Sequence, residues 1–184
     1  MALFSSVAIS QDIQLLNRNF DSDAIPPNPG YLSNISGWVN SGYGSIGVKA
    51  PLGNGVHYNN IGDHGQVGFL QEGARLTQTA NTKLQSGETY TLTFDAGKPV
   101  GTLGQDFIVR FKADGLALAQ EQFGSSAVAE GEWATHSVSF TSTSEMPIGK
   151  PLVIEFQNSA MATAHELNLD NVYLTTAETG APLS

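Results

Sequence analysis

The chain has 184 residues and carries 8 basic against 17 acidic side chains, a net charge of −9, with charged residues at only 14 %. That length suffices for one domain with a real core, and the acidic balance argues against nucleic acid or an anionic membrane as partner, since both need a basic footprint. The absence of cysteine excludes disulfides and thiolate metal sites, and no apolar run approaches the roughly 18 residues of a membrane span.

Residues 1–11 form a lead-in, 12–178 a single domain and 179–184 a tail. The opening Met1–Ser10 has no basic segment ahead of its short apolar stretch and is a poor secretion signal. The expected location is cytoplasmic, or secreted or periplasmic if a leader has been removed. A first strand is expected at about 13–20, followed by the stiff turn Pro26-Pro27-Asn28-Pro29-Gly30. Short strand candidates bounded by Gly, Asn or Asp come next: 37–40, 45–49, 66–71 and 74–78. The clearest is Glu88–Asp95, where Tyr90, Leu92 and Phe94 share one face and Thr91 and Thr93 the other.

In 106–112, Phe107, Val109 and Phe111 alternate with smaller or polar residues, and Asp114-Gly115 reads as a hairpin turn into 116–120. Trp133 opens a further strand, 150–156 another, and Glu166–Leu174 the last. About ten strands, with no convincing helical period and no repeat, point to an all-β jelly-roll β-sandwich of two antiparallel sheets. The segment 53–65, rich in Gly, Asn, His and Tyr, is a long loop of the kind that often carries function.

The last strand is awkward. Leu167, Leu169, Asn171 and Tyr173 form one face, and Asn168, Asp170, Val172 and Leu174 the other, so neither is purely apolar. Asp170 has apolar neighbours on both sides, and a carboxylate there is costly to bury unpaired. Asp21 and Asp23 follow the first strand. The expectation is that oxygens of Asp21 or Asp23 and of Asp170 share a structural calcium ion, clamping the two ends of the chain; solvent-exposed acids are the plain alternative.

The order of motifs is itself informative: Asn17-Arg18-Asn19-Phe20-Asp21, then Ser36-Gly37-Trp38, Asp63–Gln71, Leu84–Phe94 and Leu169–Leu174. This order resembles the galactose-binding-like jelly rolls of carbohydrate-binding modules, and within them the hapalindole-type (Stig) cyclases, over roughly residues 13–176. The resemblance implies a calcium near the first and last strands, with Asp21 standing where the first motif usually has Glu and Asp170 matching the last.

The resemblance implies two kinds of function. The main reading is a calcium-stabilised, non-catalytic module for a neutral sugar or polysaccharide. Sugars are held by aromatic platforms and by polar side chains that fix orientation. The candidates are Trp38, Tyr43, His57, Tyr58, Phe69 and Trp133 with Gln71, Arg75 and Asn158, although Trp38 in Ser-Gly-Trp is more often a core residue. The alternative is a cyclase-type enzyme acting on an apolar prenylated substrate. It would use a strand carboxylate at or near Asp170 as general acid and aromatic walls from Trp38, Tyr58, Phe69 and Phe107. A carboxylate bound to calcium stays ionised, so Asp170 serves one role or the other. A structural adhesin is the third class, and a homo-oligomer is compatible with the composition. No His spacing supports zinc, and solvent exposure accounts simply for His57 and His64.

Overall fold

The computed structural model describes residues 10–27, 30–102, 106–159 and 165–178. Among them are twelve strands and no helix. In chain order they are β1 (Gln11–Ile13), β2 (Tyr31–Leu32), β3 (Val39–Asn40), β4 (Ile46–Lys49), β5 (Val67–Gln71), β6 (Arg75–Lys83), β7 (Glu88–Lys98), β8 (Phe107–Ala113), β9 (Leu116–Phe123), β10 (Glu132–Thr141), β11 (Pro151–Asn158) and β12 (Glu166–Glu178). They form two antiparallel sheets, one ordered β10-β7-β12-β5-β4-β2 with β1 added on β12, the other β3-β6-β11-β8-β9. The expected jelly-roll sandwich is present.

Alternation builds the core. On β7, Tyr90, Leu92, Phe94 and Ala96 are buried, and they face Phe107, Val109 and Phe111 of β8 and Leu152, Ile154 and Phe156 of β11. Burial of each large apolar side chain contributes about 1.5–3 kcal/mol. Phe94 packs edge-on against Phe107 and Phe156, with ring centroids 6.3 and 5.0 Å away. The Asp114-Gly115 hairpin forms as expected, both residues at positive φ (50° and 80°), the geometry of a type I′ turn.

The mixed faces of the last strand have a simple cause. The pairing of β12 with β7 slips between Asp170 and Tyr173, and Asn171 takes φ 50°. This bulge inserts one residue and reverses the parity of the strand. Leu167 and Leu169 face the core before it, and Val172 and Leu174 after it. Asp170 and Asn168 therefore lie on the outer face of the larger sheet.

The expected strand at 13–20 is corrected. Only Gln11–Ile13 is strand, and Asn17 and Phe20 at φ 47° and 58° turn the chain so that Leu15 and Phe20 plug the core. Of the Pro-rich turn, residues 28–29 lie outside the described residues.

Candidate functional site

The long loop lies down on the outer face of the larger sheet. Tyr58 is 0 % exposed. Its hydroxyl donates to Oδ1 of Asn168 on β12 at 2.6 Å, and burial pushes its pKa up, so the phenol stays neutral. Its ring stacks on Trp133 of β10 with centroids 4.8 Å apart, and Trp133 stacks in turn on His64 at 3.9 Å. Gly97 of β7 permits this approach, since a Cβ there would lie 2.7 Å from Tyr58 Oη and 2.8 Å from the Trp133 ring. His64 Nδ1 donates to Asp170 Oδ2 at 2.8 Å, while the backbone N–H of Asn171 donates to Asp170 Oδ1, also at 2.8 Å. One half of the sheet face is thus filled by the protein's own aromatic rings.

The other half remains open as a cleft of about 460 Å³ over β4, β5 and the start of β12. Its apolar wall is Phe69, with Tyr31 set edge-on at 6.1 Å between centroids. Gly47 lets the Phe69 ring lie against β4, since a Cβ there would stand 2.5 Å from its Cζ. The polar wall comprises Lys49, His57, Gln71 and Glu166. Glu166 Oε1 is paired with Lys49 Nζ and accepts from Asn168 Nδ2 at 2.8 Å, and Oε2 accepts from Gln71 Nε2 at 2.9 Å. Burial by itself would raise the Glu166 pKa. The Lys49 charge and the bonds from Lys49, Asn168 and Gln71 outweigh burial and hold the carboxyl below its usual value. A carboxylate, an ammonium and an aromatic wall therefore meet in one partly desolvated cleft. That combination suits proton transfer and the stabilisation of developing positive charge.

Of the residues singled out in sequence, His57, Phe69 and Gln71 come together in this cleft, whereas Tyr58 and Trp133 fill the other half of the face. Trp38 is a core residue between Phe20 and Phe156. Tyr43 is 71 % exposed but lines no part of the cleft, and neither does Arg75. Asn158 is buried and donates to the backbone oxygens of Leu70 and His165, and Phe107 is core. His64, expected on the surface, is buried.

Asp170, the expected acid, is 3 % exposed and lies beneath His64, outside the cleft. The strand carboxylate in the cleft is Glu166, four residues earlier on the same face. Stepping back by twos from Asp170 reaches Asn168 and Glu166, and that period was the available signal. Lys49 carried only the faint signal of being one of 8 basic residues.

The calcium expectation pairs Asp21 or Asp23 with Asp170, and Asp21 lies close enough for its charge to help raise the Asp170 pKa. Among the described residues no three His, Cys, Asp or Glu side chains are grouped to hold a metal. Asp23 is taken up by Asn17 Nδ2 at 2.9 Å and by the N–H and hydroxyl of Ser36, and Asp170 by His64. Around Asp21 the fit is better. Asn19, which lines the same depression, has a buried Oδ1 without a partner, as does Gln66 Oε1, and Gln66 Nε2 donates to the Asp21 carbonyl at 3.3 Å. Such oxygens are the donor type calcium takes.

Comparison with known proteins places these features in context. The structure is similar to a Stig cyclase, Fisc, from Fischerella sp. TAU, solved in complex with (3Z)-3-(1-methyl-2-pyrrolidinylidene)-3H-indole. The TM-score is 0.79 at 24 % identity, covering 94 % of this chain and 100 % of that one. A cyclase from Fischerella sp. TAU in complex with 4-(1H-indol-3-yl)butan-2-one gives 0.79 at 24 %, covering 93 % and 100 %. The carbohydrate-binding module TmCBM61, in complex with β-1,4-galactotriose, gives 0.53 at 14 %, covering 88 % and 97 %. At these identities the likeness is one of fold. No match is found among curated proteins.

The family model described as HpiC1-like, HpiC1 cyclase, matches residues 11–175. That match overturns the expectation of a non-catalytic carbohydrate-binding module. The structure supplies a physical reason, because Tyr58 and Trp38, two of the expected sugar platforms, have no ring face to offer. The match runs from the first strand into the last, and the chain belongs to the HpiC1-like cyclase family.

Proposed function

We propose that the chain is a cyclase acting on a small, largely apolar prenylated indole, bound with its ring on the Phe69–Tyr31 wall and its reacting carbons beside Glu166 and Lys49. The observation that carries this reading is the ion pair of Glu166 with Lys49 facing an aromatic wall across the cleft. Family membership supplies the reaction class.

The pair divides the proton work. The Lys49 ammonium delivers a proton to the substrate and starts the rearrangement. Positive charge that develops during ring closure is stabilised by the anionic Glu166 and the ring faces. Glu166 then accepts the proton that leaves as the indole regains aromaticity, and passing it to Lys49 restores the starting state. The process is redox-neutral and consumes no co-substrate. It differs from the sequence-based expectation of a protonated acid at Asp170.

Incubation with a prenylated indole, with products followed by mass spectrometry and NMR, tests the reading. The wild type is expected to give an isomeric cyclised product, and Glu166→Gln to lose about 10²- to 10⁴-fold in turnover, the usual contribution of a positioned acid–base group. Undiminished turnover in E166Q overturns the assignment.

A calcium ion belongs to the same proposal as a structural element, held on the Asp21 side by Asp21, Asn19 and Gln66. The buried, unpartnered oxygens of Asn19 and Gln66 support it.

A further inference from the structure

His57 lines the cleft, takes no part in the proton transfers above, and is held in place by hydrogen bonds on its backbone and its ring. Its backbone N–H donates to Leu52 O at 3.0 Å and its carbonyl accepts from Val100 N at 2.7 Å. The neighbouring Tyr58 N–H also donates to Leu52 O at 3.0 Å, and the Tyr58 side chain is bound to Asn168. The imidazole is fixed as well. Leu52 N–H donates to His57 Nδ1 at 3.1 Å. A nitrogen that accepts an N–H bond carries no proton, so the neutral ring holds its hydrogen on Nε2. Burial, and then the Lys49 charge, lower the His57 pKa, which keeps the ring in this neutral form. Among the described residues, no protein group pairs with Nε2.

The structure therefore presents a single N–H of fixed tautomer on a braced loop at the cleft, and we infer that His57 Nε2–H is the donor that positions the substrate, by binding a carbonyl-type acceptor on the chain attached to the indole. The inference rests on the indole-binding reading above and deepens it. The substrate class becomes an indole whose side chain carries an oxygen or nitrogen acceptor, held at three places: ring on Phe69 and Tyr31, reacting carbons at Glu166 and Lys49, acceptor at His57. Only the acceptor contact distinguishes such a substrate from a purely hydrocarbon-substituted indole. His57 acts here as a positioning residue and transfers no proton.

Calorimetric titration with two probes separates the inference from the reading beneath it. One probe is 4-(1H-indol-3-yl)butan-2-one, which carries a ketone; the other is 3-butylindole, which has the same skeleton without the acceptor. A neutral hydrogen bond of ordinary net strength makes the ketone bind about 3- to 10-fold more tightly in the wild type. His57→Asn keeps an acceptor for Leu52 N–H, and so preserves the loop, but has no donor at the Nε2 position; its preference is expected to fall to about one. His57→Gln places a donor there and retains the preference. A wild-type ratio near one, or an undiminished ratio in H57N, overturns the inference while 3-butylindole binding leaves the indole reading standing. If neither probe binds, the indole reading falls and the role of His57 falls with it.

Discussion

Tyr58 and Asn168 join the long loop to the centre of the last strand through one buried bond of 2.6 Å, and Asn168 in turn donates to Glu166. The loop thereby sets the position of the cleft carboxylate. Tyr58→Phe leaves the ring stack in place and strips the Asn168 oxygen of its donor. An unsatisfied buried acceptor costs about 1–3 kcal/mol, so the melting temperature is expected to fall by roughly 3–10 °C for a domain of this size. Thermal denaturation followed by circular dichroism measures it, and an unchanged midpoint contradicts the role of the bond.

Glu166 has a definite pH signature. Its folded pKa lies below its ordinary 4.5, so the ionised form is favoured by folding. Its stabilising contribution is fully present above about pH 4.5 and is lost as the pH falls through the lower folded value. Lys49→Met removes the charge that depresses it and leaves burial as the largest remaining influence. The Glu166 carboxyl is expected to titrate at higher pH in that variant, as NMR measures without turnover, and an unmoved titration contradicts the pairing.

Asp170 has the opposite sign. Burial raises its pKa above 3.8, aided by the nearby Asp21 charge and opposed by the His64 bond. The folded state binds this proton more tightly than the unfolded one, so this group's contribution to stability declines as pH rises from about 3.8 through the folded value. Asp170→Asn is expected to abolish that segment of the stability–pH curve. His64→Ala removes a buried partner and a ring from the Trp133 stack, and is expected to cost about 3 kcal/mol at pH 7.

The calcium proposal is tested by thermal melting in chelator and in millimolar calcium. Calcium that binds the folded state alone raises the midpoint by mass action. Asp21→Asn is expected to lose that response, whereas Asp23→Asn, whose carboxylate serves Asn17 and Ser36, is expected to keep it. A melting curve indifferent to chelator rules the ion out.

Much of the fold could be read from local alternation. Tyr90-Leu92-Phe94 and Phe107-Val109-Phe111 announced inward faces, and Asp114-Gly115 its turn, because each depends on a few neighbouring residues. The site was harder to see. The bulge at Asn171 reverses the strand's parity, so period-2 reading puts Asp170 and Val172 on one face and hides that the row Glu166, Asn168, Asp170 points outward while Val172 enters the core. Tyr58 and His57 are adjacent in sequence, yet one is buried under the loop and the other lines the cleft. That division depends on bonds to Asn168 and Leu52. Lys49 pairs with Glu166 across 117 positions of sequence, and nothing local to either residue signals it.

A small aromatic ligand is expected to sit on the Phe69–Tyr31 wall of the cleft, beside Glu166 and Lys49. Backbone and side-chain NMR shifts, recorded as 4-(1H-indol-3-yl)butan-2-one is added, locate it directly. The perturbations are expected to concentrate at Tyr31, Lys49, His57, Phe69 and Glu166. Perturbations confined to the outer face of the smaller sheet, around Arg110 and Glu155, with none at Phe69 or Glu166, would contradict that placement.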